Sequence, residues 1–122
     1  MEPRIRYSFS LMSSIRLGES EHIRAIGFPD IPLEIDSVRL NIPCAGYIHD
    51  IKLAIDNTSI SFKPDPLETF DFENRRMFND SVIITPQTRM TLECKYMGFT
   101  PPGFIKGTIY NLIATFYGFA VI

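Results

Sequence analysis

Few side chains in this 122-residue chain are of types that carry chemistry, and their spacing keeps most of them apart. Of the two histidines, His22 follows the polar run Gly18-Glu19-Ser20-Glu21, where a solvated imidazole is expected. His49 and Asp50 are neighbours, so on a regular strand they leave opposite faces and cannot act as a pair. Cys44 and His49 lie on either side of Gly46, and a nucleophile–base pair would need a sharp bend to join them. No Cys-x-x-Cys, His-x-His or His-Glu-x-x-His spacing occurs, and no glycine-rich phosphate loop. Asp65, Glu68, Asp71 and Glu73 gather oxygen ligands of the kind hard cations favour. Their spacing is not that of a calcium loop, and Arg75 and Arg76 follow at once, so a salt-bridged surface is expected. No metal and no cofactor is expected, and no catalytic residue is assigned. A metal-dependent enzyme on a β scaffold would want a histidine pair on one strand, which is lacking. The pattern is that of a binding or assembly module, not an enzyme.

Aromatic residues are the other candidates. Tyr47, Tyr96, Phe99 and Phe104 flank loops. Sugar sites favour Trp above all, and the chain has none, so packing is the expected use of most of these rings. Should the chain bind a glycan or a receptor, the loops 63–80 and 97–104 would carry the site, with Phe70, Phe72, Tyr96 and Phe99 as its residues.

The elements that must position these groups are strands. Ten Phe, five Tyr and nine Pro, with short alternating apolar runs, point to strands separated by rigid turns. Residues 5–11 alternate, with Ile5, Tyr7, Phe9 and Leu11 on one side and Arg6, Ser8 and Ser10 on the other. Residues 22–28 read as a short strand with a bulge at Gly27. Pro29 and Pro32 mark an edge or a crossing segment. Val38, Leu40, Ile42 and Cys44 alternate with polar residues. Residues 47–62 form a hairpin, turning at Asp56-Asn57-Thr58-Ser59. Residues 63–80 break the pattern and read as a long loop, with Leu67, Phe70, Phe72, Met77 and Phe78 as a packed side. A short strand follows at 82–84. Met90, Leu92, Cys94 and Tyr96 then alternate with Arg89, Thr91, Glu93 and Lys95. Cys44 and Cys94 both fall at apolar positions, as buried free thiols do.

The last stretch, residues 108–122, differs. One face carries Tyr110, Leu112, Ala114, Phe116, Gly118, Ala120 and Ile122. The other carries Ile109, Asn111, Ile113, Thr115, Tyr117, Phe119 and Val121. Both are largely apolar, which predicts a strand covered on both sides. One small sandwich struggles to cover two faces, so the second cover is either the loop 63–80, with Leu67, Phe70, Phe72, Met77 and Phe78 as its lid, or another subunit, and the subunit is favoured. The interface is placed at Tyr110, Phe116, Tyr117, Phe119, Val121 and Ile122.

Eight or nine strands in one domain of residues 1–122, with no internal repeat, predict an antiparallel all-β sandwich of the jelly-roll kind. The net charge of −2 and the scattered arginines argue against nucleic-acid binding. The opening residues alternate and lack a continuous apolar core, and no run approaches the ~20 apolar residues of a membrane span. Synthesis and folding in the cytosol are expected, with no membrane partner.

Two resemblances sharpen these expectations. Ala114-Thr115-Phe116-Tyr117-Gly118-Phe119-Ala120-Val121-Ile122 resembles the last strand of the tumour-necrosis-factor and complement C1q jelly rolls. That resemblance implies a homotrimer whose aromatics pack around a three-fold axis. The run Asp56-Asn57-Thr58-Ser59-Ile60-Ser61-Phe62, followed by a Pro-Asp-Pro loop, is similar to small virion proteins of tailed bacteriophages. It implies a capsid-decorating, cementing or head/tail accessory protein, assembled in the host cytoplasm and bound to other virion proteins. The alternative is a carbohydrate- or receptor-binding module of a fibre or spike.

Overall fold

The computed structural model describes residues 5–41, 48–60 and 76–121. These form eight strands and, among the described residues, no helix. In chain order they are β1 (Arg6–Arg16), β2 (Glu21–Gly27), β3 (Leu33–Asn41), β4 (Ile48–Ile55), β5 (Thr58–Ser59), β6 (Arg76–Ile84), β7 (Met90–Tyr96) and β8 (Ile109–Ala120).

The pairing has a simple logic. β1 pairs with β8, β2 with β7, β3 with β6 and β4 with β5, all antiparallel. The chain is therefore one long hairpin folded at Asp56-Asn57, then rolled so that β8 also meets β3 and β7 also meets β4. Two four-stranded sheets result, ordered β1-β8-β3-β6 and β2-β7-β4-β5. This is an eight-stranded jelly roll. Its tip is the expected hairpin. Asp56 and Asn57 both adopt positive φ, 48° and 72°, as a two-residue turn matched to the strand twist requires. Asp56 also accepts a 2.8 Å hydrogen bond from the Arg89 amide, which ties the tip to the start of β7.

The core lies between the sheets. Leu11 and Ile15 of β1, Leu33, Ile35, Val38 and Leu40 of β3, and Leu112, Ala114 and Phe116 of β8 face Ile23, Leu53, Met90, Leu92, Cys94 and Tyr96 of the other sheet. Period-two alternation puts each set on one face.

Several boundaries differ from the sequence reading, each for a local reason. Of the two courses open to the chain near Ser13-Ser14, continuing or turning, β1 continues to Arg16, because Ile15 and Leu17 keep the inward register and are buried. Gly27 is no bulge: it pairs with Met90 in regular register. A side chain is missing there because Leu11 Cδ2 lies 2.7 Å from where a Cβ would sit. β3 starts at Leu33, directly after Pro32. Proline lacks only its own donor, and the Pro32 carbonyl accepts from the Val121 amide at 3.0 Å. The expected loop 63–80 ends earlier, because β6 begins at Arg76. Phe78 is buried with its ring centroid 6.5 Å from that of Phe116, so it belongs to the core and not to a lid. Leu67, Phe70, Phe72, Cys44 and the acidic cluster from Asp65 to Glu73 lie outside the described residues.

Two bulges were not anticipated. In β3, Asp36 interrupts the register with both β6 and β8, between Ile35 and Ser37. In β4, the register with β7 shifts between His49 and Lys52, and Asp50 takes a positive φ of 54°. Regular alternation would put His49, Ile51, Leu53 and Ile55 on one face, and the second bulge breaks that set. Ile48 and Leu53 are buried, Ile51 is half-buried, and His49 is exposed.

Candidate functional site: an aromatic ridge on one outer face

Each sheet has an inner face in the core and an outer face, and the two outer faces differ. On the β2-β7-β4-β5 sheet, cross-strand rows place His22 and His49 on either side of Lys95, and Arg24 and Lys52 on either side of Glu93. Arg24 bridges Glu93 at 3.3 Å and Lys95 bridges Asp50 at 3.5 Å. This is a solvated, charge-laced surface of the kind one-sided antiparallel sheets present to water.

The β1-β8-β3-β6 sheet is built otherwise. Its outer rows run Arg6–Phe119–Glu34–Ile83, then Ser8–Tyr117–Ser37–Met77, Ser10–Thr115–Arg39, Met12–Ile113–Asn41, Ser14–Asn111 and Arg16–Ile109. Down the middle, the odd-numbered side chains of β8 make a ridge that is apolar at both ends. Tyr117 and Phe119 are half-buried, while Met12 is 64% and Ile109 55% exposed. Serines flank Tyr117 on both sides, Ser8 exposed and Ser37 wholly buried, and two hollows open along Tyr117 and Phe119. The larger hollow is a cleft of about 360 Å³ lined by Arg6, Tyr7, Ser8, Asp36, Tyr117 and Phe119. A smaller one lies between Phe119, Glu34, Asp36 and Ser81, where the Ser81 hydroxyl donates to Glu34 at 2.9 Å.

Gly118 makes this geometry possible. At the Asp36 bulge, the β3 backbone leans onto β8 so closely that a Cβ on Gly118 would stand 1.9 Å from the Glu34 carbonyl oxygen. The glycine between the two aromatic residues is therefore a packing requirement of the bulge. The bulge in turn positions Asp36 at the cleft.

The residues singled out from the sequence separate into distinct groups. Tyr117, Phe119 and Val121 keep a share of exposure, as an interface requires. Phe116 does not: it is wholly buried inside the chain's own core, stacked 6.2 Å from Phe9. Its assignment to an interface is corrected, because the even-numbered face of β8 is the inner one. Tyr110 shares that inner parity and packs edge-on against Phe104, at 5.6 Å between centroids. Ile122 lies outside the described residues, as do Phe70 and Phe72.

Of the remaining ligand-loop candidates, Tyr96 is corrected and Phe99 is exposed. Tyr96 is 1% exposed, in register with Leu92 and Cys94. Its hydroxyl donates to the Phe99 carbonyl at 2.6 Å and accepts from the Gly18 amide at 3.1 Å. It is a core residue whose polar tip pins two turns. Phe99, by contrast, is 62% exposed.

The loop that Tyr96 pins was placed by the sequence, with Phe99 and Phe104 named at it, but Met97 and Ile105 were not singled out. Residues 97–108 present Met97, Phe99, Phe104 and Ile105 to solvent, Ile105 at 75% exposure. The backbone beneath them is well tied. Gly107 donates to the Leu17 carbonyl at 2.8 Å, Leu17 to the Thr108 carbonyl at 3.0 Å, and Phe104 to the Pro101 carbonyl at 3.1 Å. The signal was present as apolar residues spaced among Gly98, Pro101, Pro102 and Gly103, but turn chemistry alone does not say which way such side chains point.

Cys94 is a free, buried thiol. Burial, with the nearby Glu21 carboxylate, pushes its pKa up to about 11. It is an unreactive core sulfur. His22 and His49 are both exposed. Among the described residues, no three His, Cys, Asp or Glu side chains gather as metal ligands. Among the described residues, no helix is long and apolar enough to cross a membrane. No protein-family model, no curated protein and no solved structure matches the chain.

Proposed function

We propose that this chain is a structural assembly protein that works by self-association through the outer face of its β1-β8-β3-β6 sheet. One observation carries the reading. That face carries Tyr117, Phe119, Ile113, Met12 and Ile109 among Arg6, Arg16, Glu34 and Arg39, where the opposite outer face carries Ile26 among His, Arg, Lys and Glu. A lone sandwich has no use for a half-exposed aromatic ridge, whereas aromatic residues are the anchors of protein interfaces.

The particular role that suits such a module is that of a virion component. A jelly roll is one of the scaffolds on which capsid proteins are built, and a small one can decorate, cement or cap a particle as a homo-oligomer. That step rests on fold analogy together with the resemblance of the terminal strand to trimeric jelly rolls. A trimer is the first expectation, bound to other virion proteins and formed where the particle assembles.

The test is the mass in solution. At micromolar concentration the protein runs as an oligomer of its 14.0 kDa chain, and Phe119→Asp reduces it to a monomer. A wild-type protein that stays monomeric at these concentrations refutes the reading.

A further inference from the structure

Each sheet of the sandwich ends in two edge strands, and an edge offers unpaired backbone groups to any further strand. Three of the four edges are poor templates. β5 is two residues long, the register of β6 with β3 shifts between Ile35 and Ser37, and β2 spans seven residues with Glu21 and Arg24 along it. β1 is different. It pairs with β8 over all of Arg6–Arg16 without a register shift, contains no proline and no lysine, and has its charges, Arg6 and Arg16, at its two ends.

The parity of its hydrogen bonds says which groups are open. The Ile5 carbonyl accepts from the Ala120 amide, and the Leu17 amide donates to the Thr108 carbonyl, so the odd-numbered residues bond toward β8. In an antiparallel ladder the N–H and C=O of one residue point to one side and those of the next residue to the other. The backbone groups of Ser8, Ser10, Met12 and Ser14 therefore point away from β8. Among the described residues no backbone hydrogen bond reaches them. Their side chains are exposed, Met12 at 64%.

We infer that this edge takes β1 of a second copy of the chain, antiparallel about a two-fold axis at Met12. The inference goes beyond the outer-face reading, because it adds a second contact that runs along an edge and does not use Tyr117 or Phe119. Charge sets the register. An axis at Leu11 would pair all of Arg6–Arg16 but would set Arg6 directly opposite Arg16 at both ends, and like charges directly opposite destabilise a strand pair. An axis at Met12 puts Ser8 opposite Arg16 and Ser10 opposite Ser14, and carries each Arg6 past the end of the other strand. It also sets Met12 against its counterpart, with Ile113 next in the row on either side. Met12 is the one large apolar side chain that β1 turns to the outer face, and this register covers it with itself. That self-match names a second copy as the occupant.

The edge contact is weaker than the outer-face one. It is a single ladder whose bonds replace bonds to water, set against the freedom lost on association. It forms at concentrations on the order of hundreds of micromolar, or within an assembly whose outer-face contacts already hold two edges close. A Phe119→Asp chain is therefore still a monomer at micromolar concentration.

Disulfide trapping in a Cys44→Ser background, at protein concentrations on the order of hundreds of micromolar, tests the inference. Under mild oxidation Met12→Cys is expected to shift to a covalent dimer of twice 14.0 kDa. Opposite residues of a hydrogen-bonded antiparallel pair lie ~5.5 Å apart at Cα, within the ~4.4–6.8 Å that a disulfide spans. Ser10→Cys alone is expected to stay at the mass of one chain, because this register holds the two copies of residue 10 about 14 Å apart along the strands. Ser10→Cys mixed with Ser14→Cys is expected to cross-link. All three positions are exposed, and circular dichroism checks that each variant is folded.

The outcomes keep the two claims apart. A Met12→Cys protein that stays at the mass of one chain overturns the edge contact, as does Ser10→Cys that cross-links as readily by itself. With either result, a wild-type oligomer at micromolar concentration leaves the outer-face reading standing. A wild-type monomer at micromolar concentration overturns that reading, and trapping at Met12 still upholds or overturns the edge contact.

Discussion

Gly118→Ala adds one methyl group at the point where β3 leans onto β8, and it should be among the most damaging small changes in this protein. The added Cβ would stand 1.9 Å from the Glu34 carbonyl oxygen and 2.7 Å from the Glu34 carbonyl carbon and the Ile35 Cα. All three are backbone atoms, so no rotamer can relieve the clash. Reaching an ordinary contact near 3.4 Å requires β3 to retreat by about 1.5 Å at the Asp36 bulge. Overpacking of this kind costs ~1–3 kcal/mol. The retreat also weakens the ladder around Ile35 and Gly118, at ~1 kcal/mol for each of roughly two hydrogen bonds. Together these give ~3–5 kcal/mol, a large share of the ~5–15 kcal/mol that holds a domain together. Urea titration followed by circular dichroism measures it, and the melting temperature should fall by roughly 10–25 °C. The sign is diagnostic. Replacing glycine by alanine in unstrained extended backbone ordinarily stabilises by ~0.4–1 kcal/mol, through the unfolded chain. Gly103→Ala is the control: its φ is +88° with nothing within 4 Å, so only the left-handed backbone objects, at ~1–2 kcal/mol. A Gly118→Ala protein within ~0.5 kcal/mol of wild type would refute the close approach of β3 and the account of the bulge built on it.

Other expectations follow from single features. Tyr96→Phe removes the partner of both the Phe99 carbonyl and the Gly18 amide, and should cost ~1–3 kcal/mol by denaturant titration while loosening the 97–108 loop, read as faster amide exchange there. Cys94 is protonated in the folded protein up to about pH 11, whereas an unfolded thiol ionises near pH 8.5–9. The unfolded chain therefore binds fewer protons in that window, and stability falls as pH rises from about 9 to 11, by at most ~1.4 kcal/mol per pH unit from this group. Cys94→Ala should remove that part of the slope, and native Cys94 should react with a thiol reagent only as fast as the protein unfolds. Asn57→Gly at the hairpin tip should leave stability within a few tenths of a kcal/mol, while Asn57→Val should cost ~1–2 kcal/mol, because φ is +72° and a β-branched residue resists it. Equal melting temperatures for the two variants would contradict the turn.

Much of this fold was legible because period-two alternation is a direct consequence of strand geometry. Leu92, Cys94 and Tyr96 alternate with Glu93 and Lys95, and the buried and exposed residues follow that register. Tyr96 shows how such a signal can be overruled too quickly. Its place beside a glycine-rich loop suggested a ligand contact, yet its register with Leu92 and Cys94 already put it in the core. β8 is the opposite case. When both faces are apolar, alternation cannot say which one is inside, and Phe116 and Phe119 look alike in sequence. Only pairing with β1 and β3 decides it, burying Phe116 and leaving Phe119 outward. β6 was hidden because Asn79-Asp80 carries turn chemistry, whereas the chain uses it within an edge strand where the register with β3 shifts. Bulges at Asp36 and Asp50 have no reliable mark in a single sequence, and each changes which side chains face the core.

The measurement closest to the central claim is light scattering coupled to size exclusion on the wild-type protein at micromolar concentration, beside Phe119→Asp and a substitution on the charged face, Lys52→Asp. The account predicts an oligomer for wild type and for Lys52→Asp, and a 14.0 kDa monomer for Phe119→Asp. A monodisperse wild-type monomer, or full assembly of Phe119→Asp, would contradict it.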